Sequence, residues 1–177
     1  MSLPLRQELP LAETWDLSLL YQDQAAYEAA VEGLKKQVTE FEANYAGTLG
    51  QAQQLEKALA DYEAIQVAIS WVSHYGSLAY ETDKLDAQNE ANAVGLDQLF
   101  ELVGAKLAFL APELSALDEA YLREFSQSDK GKRYAGYLNE VLRLKPSVLS
   151  KEVEELLSSF QSSLYNQYSL YGTLKFQ

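Results

Sequence analysis

Apolar residues recur along this chain at steps of three and four, the period of a helix that buries one face. The first stripe is Tyr27, Val31, Leu34, Val38, Phe41 and Tyr45. It predicts a helix over about residues 24–45. Asp23 is its expected N-cap, because a carboxylate there accepts the unpaired amide hydrogens of the first turn. Gly47 and Gly50 end the run in a turn. The second stripe is the longest: Leu55, Leu59, Tyr62, Ile65, Ile69, Val72, Gly76 and Ala79. Val67, Ala68, Trp71, Tyr75 and Leu78 widen its apolar arc beyond one face. A helix over about residues 51–81 follows, roughly 45 Å long at the α-helical rise. A wide arc touches several neighbours, so this helix is expected at the centre. Ile69→Asp is expected to be among the worst single changes, as it buries an unpaired carboxylate.

Thr82 or Asp83 can cap a third helix over about residues 84–110. Its stripe is Leu96, Leu99, Phe100, Val103, Leu107 and Leu110. Gly95 and Gly104 lower its propensity by about 1 kcal/mol each, and the expected return is close helix approach. Pro112 can open a short helix over residues 113–117. A second short one covers residues 119–125, and Ser126 to Asp129 form a polar loop. The next helix spans about residues 130–144 with Tyr134, Leu138, Val141 and Leu142 inward, and Pro146 stops it. Ser150 caps a last helix. Glu152, Glu154 and Glu155 lie in its first turn, where the helix dipole favours negative charge. Its stripe is Val153, Leu157, Phe160 and Leu164, continuing to Tyr168 and Tyr171. After Gly172 the residues Thr173 to Phe176 alternate like the start of a β-strand. The fold class is all-α: a bundle of mostly antiparallel helices, three long and then shorter ones, with a strand beginning at the C-terminal end.

Charge modifies this picture more than composition does. The net charge is −12, which disfavours nucleic acid as a partner. Residues 1–129 hold 22 acidic and 7 basic side chains. Residues 130–151 reverse the sign: Lys130, Lys132, Arg133, Arg143, Lys145 and Lys151 face Glu140 alone. That basic segment either meets a partner's carboxylate or, more ordinarily, contacts the acidic helices of the same chain. No run is apolar enough for a signal peptide or a membrane span. With no cysteine, no disulfide supports the fold, in keeping with a reducing, cytoplasmic setting. Met1-Ser2-Leu3 reads equally as a cloning remnant or a native start.

Candidate chemistry is sparse. There is one histidine, His74, and no cysteine, so neither a Ser-His-Asp triad nor a thiol nucleophile is separately signalled. His74 lacks a second histidine four residues away, and its expected role is a partly buried structural imidazole. Tyrosine is abundant, at twelve. Tyr165, Tyr168 and Tyr171 share a helix side, and Tyr75 and Tyr80 flank the end of the central helix. They could hydrogen-bond a peptide, but packing with the hydroxyl outward is the commoner use of tyrosine. The pairs Glu152/Glu155 and Asp83/Asp86 read as helix-start and surface charges. No catalytic or metal-ligating residue is assigned, and substrate-binding residues remain open.

Several segments carry a likeness in the same order. Trp15-Asp16-Leu17-Ser18-Leu19-Leu20-Tyr21 precedes the first helix, with Trp15 as a large apolar anchor and Asp16 and Ser18 as turn and capping groups. Tyr75-Gly76-Ser77-Leu78 is followed by Asp83. Phe109-Leu110-Ala111-Pro112-Glu113-Leu114 comes next, then Arg143-Leu144-Lys145-Pro146 with Leu149-Ser150 and Glu154-Glu155, then Leu174-Lys175-Phe176. Together they resemble the front end of the oligoendopeptidase F family, among the thimet-oligopeptidase-like zinc peptidases. The resemblance covers nearly the whole chain. It implies a helical N-terminal lobe (residues 23–172) after an extended start (1–22), with residues 173–177 opening a hairpin toward a catalytic domain. It implies zinc in the parent enzyme, held by His-Glu-x-x-His and a later glutamate, none of which has a counterpart here. No cofactor is therefore expected in this chain. The expected partners are the C-terminal catalytic domain of the same polypeptide and oligopeptide substrates, with no nucleic acid and no membrane. The expected role is to wall a cleft that admits short peptides, without hydrolysing them alone. A free-standing helical interaction module is the alternative. A carboxylate-bridged di-metal bundle is weaker, since one histidine cannot supply its two Glu-x-x-His pairs.

Overall fold

A computed structural model describes residues 8–147 and Val153. The expected last helix, the tyrosines at 165, 168 and 171, the Glu152/Glu155 pair and the strand at 173–176 lie outside the described residues. Within them the protein is all-α. Six α-helices follow in order: α1 Gln24–Tyr45, α2 Ala52–Thr82, α3 Ala87–Leu107, α4 Leu110–Ala116, α5 Glu119–Gln127 and α6 Ala135–Leu144. Single 3-10 turns occupy Leu11–Glu13, Leu17–Leu19, Lys132–Tyr134 and Lys145–Ser147.

The three long helices pack each on the other two. Tyr45 meets Asp61 and Tyr27 meets Tyr75, so α1 and α2 run antiparallel. Gly76 lies against Leu96 and Ala79 against Asn89, so α2 and α3 do too. Gln24 meets Asn92 and Glu42 meets Lys106, which makes α1 and α3 parallel. The first stripe is buried as read, with Tyr27, Leu34, Val38, Phe41 and Tyr45 in the core. Asp23 caps α1, its carboxylate accepting from the Ala26 amide at 2.8 Å. Helix α2 is the central strut. From Ala64 to Tyr80 it carries no Asp, Glu, Lys or Arg. Leu55, Leu59, Ile65 and Val72 are buried on it, each worth roughly 1.5–3 kcal/mol against exposure. Ile69 is only half-buried, because it sits at the margin of that arc rather than on its centre line.

Other expectations shift by local chemistry. Helix α3 starts three residues late, with Asp86 as N-cap to the Asn89 amide at 2.9 Å. Asp83 instead shapes the turn, accepting from the Leu85 amide at 3.1 Å. The Asn89 side-chain amide closes it by donating to the carbonyls of Ala79 and Asp83 at 3.1 and 3.3 Å. Leu110 and Pro112 belong to α4, not to the end of α3 or to a helix start at Pro112. Pro112 is harmless in a first turn, where its missing N–H would be unpaired anyway. The 130–144 run is a 3-10 turn followed by α6. Gly131 is buried directly beneath the Phe125 carbonyl, where a side chain would collide, and its amide donates to Ser128 Oγ at 3.1 Å. Gly95 and Gly104 have nothing within 4 Å of an added Cβ, so they do not mediate close approach. Gly76, read only as a stripe member, does. Phe100, expected inward, is 42% exposed.

Candidate functional site

Each chemically suggestive residue has a structural place. His74 is exposed on α2, not partly buried, and its Nδ1 lies 2.5 Å from the Ser70 carbonyl one turn back. Among the described residues no group of three His, Cys, Asp or Glu is placed to hold a metal ion. The zinc of the resembled family therefore does not fit the described residues. Asp83 and Asp86 spend their carboxylates on backbone amides, as capping groups do.

The basic segment folds back on its own chain. Lys130 pairs with Glu56 at 2.6 Å and Arg133 with Glu63 at 2.5 Å, both on α2. Lys132 meets Asp129 and Arg143 meets Glu140, while Lys145 Nζ donates to the Leu117 carbonyl at 3.0 Å. Lys151 lies outside the described residues.

Tyrosines mostly build the core. Tyr75 stacks on Tyr27 at 4.8 Å, and Tyr21 meets both edge-on. Burial pushes the phenols of Tyr21, Tyr27 and Tyr75 up, with Asp23 adding to the rise at Tyr75. Tyr80 instead lies beneath the Lys84 ammonium. Trp71 packs edge-on to Tyr21 yet stays 45% exposed, with Val67 at 54% one turn away. In the Trp15 motif, Asp16 caps the 3-10 turn by accepting from the Ser18 amide at 3.1 Å. Trp15 itself is 63% exposed and anchors nothing in the described core.

Two grooves run between long helices. One, of about 200 Å³, lies between α1 and α2 beside the Tyr45–Asp61 hydrogen bond. The other, of about 290 Å³, lies between α1 and α3, with Tyr27 and Leu99 in its floor and Glu28 and Glu32 on its α1 rim. Asn92, buried in that floor, exchanges hydrogen bonds with the Gln24 amide at 2.9 and 3.0 Å. Sequence reasoning missed this groove because it depends on which helices lie side by side.

A family model described as Oligopeptidase F matches residues 113–177. Oligopeptidase PepF of Bacillus subtilis is 22% identical over 174 residues, 97% of this chain. The chain is thus similar to oligopeptidase F over most of its length, with the family model itself matched by its C-terminal third. The homology is distant. The Oligoendopeptidase F homolog of Borreliella burgdorferi is 23% identical over 96% of the chain, and the plasmid Oligoendopeptidase F of Lactococcus lactis subsp. cremoris 25% over 87%. A crystal structure of a Chlamydophila abortus protein assigned as a peptidase matches with a TM-score of 0.75 at 19% identity. That likeness covers 98% of this chain and 29% of the other, and it shows the fold. The chain spans about a quarter of the length of the curated relatives it matches, 26% of the Bacillus and Lactococcus proteins and 28% of the Borreliella one. Among its described residues no helix is long and apolar enough to cross a membrane.

Proposed function

We propose that this domain is the non-catalytic N-terminal lobe of a zinc oligoendopeptidase, walling the substrate cleft and restricting it to short peptides. One observation carries the reading. The chain aligns over 97% of its own length with only 26% of a relative named an oligopeptidase. It corresponds to one lobe of a larger enzyme. The described residues fit a wall rather than a reaction centre: no three of their acidic or imidazole groups are placed to hold a metal ion, and their one imidazole rests on its own helix. Zinc and hydrolysis belong, in this reading, to a catalytic domain of the same polypeptide in a cytoplasmic enzyme.

The test is cleavage of internally quenched oligopeptides by the purified 177-residue chain. No turnover is expected, with or without chelator. Turnover abolished by chelator and restored by zinc would overturn the assignment. The reading frame gives a second test. Continuation for several hundred residues to a His-Glu-x-x-His sequence supports the lobe reading, and a stop near residue 177 favours a free-standing helical module.

A further inference from the structure

The α1–α3 groove continues over α3 onto an exposed shelf. Ala91, Gly95 and Gln98 line both the groove and the shelf, and Val94 and Glu90 extend it outward. The saddle between them is low because Gly95 has no side chain, and an added Cβ there meets open space. A glycine inside a 21-residue helix costs about 1 kcal/mol of propensity, and here no close helix contact accounts for it. The charge of the trough is one-sided. Glu28, Glu32 and Glu90 line it against one cation, Lys35, whose Nζ is already on Glu32 at 2.7 Å. It sits within residues 1–129, which hold 22 acidic and 7 basic side chains.

We propose that this trough binds an extended, cationic peptide segment, its small apolar residues over Ala91 and Gly95 and its Lys or Arg side chains toward Glu28 and Glu90. A second copy of this chain is a poor occupant, because two molecules of net charge −12 repel. An acidic helix or a nucleic acid is disfavoured for the same reason. The proposal deepens the cleft-wall reading, on which it rests for the choice of an unfolded peptide as ligand. It names a preference for basic residues in the peptides that pass this wall.

The experiment measures binding without catalysis, so its failure is separable from failure of the lobe reading. The 177-residue chain is titrated with a short Arg-Ala peptide and with its Glu-Ala counterpart, by calorimetry and by amide chemical shifts. The Arg-Ala peptide is expected to bind, with shifts confined to the Glu28–Glu32 and Glu90–Gln98 stretches and affinity falling as salt rises. The Glu-Ala peptide is expected not to bind. Gly95→Leu fills the saddle and is expected to weaken binding about tenfold or more while leaving the melting temperature unchanged or higher. Glu28→Gln with Glu90→Gln is expected to weaken it further than Glu124→Gln on distant α5. Absence of binding, equal binding of both peptides, indifference to Gly95→Leu, or an equal effect of Glu124→Gln each overturns the proposal.

Discussion

Gly76 on α2 lies so close to Tyr27 on α1 that an added Cβ would sit 2.8 Å from the tyrosine Oη and 2.9 Å from Leu96 Cδ1 on α3. The missing side chain lets three helices meet at one level. Gly76→Ala gains about 1 kcal/mol of helix propensity but must displace a packed leucine, and overpacking of this kind costs about 1–3 kcal/mol. A net loss of stability is expected. Gly95→Ala, with nothing within 4 Å, should stabilise by about 0.5–1 kcal/mol. Urea unfolding of the two variants measures both signs, and a stabilised Gly76→Ala would contradict the packing.

Val72 is 1% exposed, whereas Ile69, one turn earlier, is half-buried. Val72→Asp must bury a carboxylate without a partner, while Ile69→Asp can turn its carboxylate to water. Val72→Asp should therefore be the more damaging by several kcal/mol, to the point of abolishing the fold. Circular dichroism melts of the two variants decide the order.

Arg133 and Glu63 hold α6 and its leading turn to α2 through an exposed ion pair. Exposed pairs of this kind contribute about 0.2–1 kcal/mol. A double-mutant cycle with Arg133→Met and Glu63→Gln should return a coupling in that range, shrinking as salt is added. A coupling above about 2 kcal/mol would mean the pair is far less hydrated than its exposure indicates.

Tyr45 donates to Asp61 at 2.5 Å, and its phenol is pushed up to about 12, first by burial, then by the bond to Asp61 and its charge. The fold favours the neutral phenol. Its contribution is complete below the ordinary value of 10.0 and is lost as pH rises from there through about 12. Stability should be indifferent to this group at neutral pH and fall steeply in that alkaline window. Tyr45→Phe should be less stable by about 1 kcal/mol at pH 7 and lose less on alkaline titration. Denaturant midpoints across that range provide the measurement.

The helices were legible because each buries a continuous stripe, and the period of a stripe is a one-dimensional property. The limits of α1 could be read from Asp23 and Gly47, which act within their own turn. Which glycine permits close approach could not be read, because it depends on what a second helix places opposite. Gly76 faces Tyr27 and Leu96, and Gly95 faces solvent. The inward assignment of Phe100 failed for the same reason: it lies at the edge of an arc whose width is set by neighbours. The sign reversal at residues 130–133 did announce contact with acidic helices, since opposite charges in one chain find each other cheaply. That those acids are Glu56 and Glu63 required the fold. The α1–α3 trough left no local signal, because its two walls are some sixty residues apart in sequence and adjoin only through the parallel pairing of those helices.

Rings form a chain across the domain. Phe109 lies 5.7 Å from Phe41, Phe41 6.3 Å from Tyr62, and Tyr62 5.4 Å from Tyr137, linking the start of α4 through α1 and α2 to α6. The long trio and the short helices therefore have no seam along which to separate. Heat should take them apart in one event, with calorimetric and van't Hoff enthalpies in agreement.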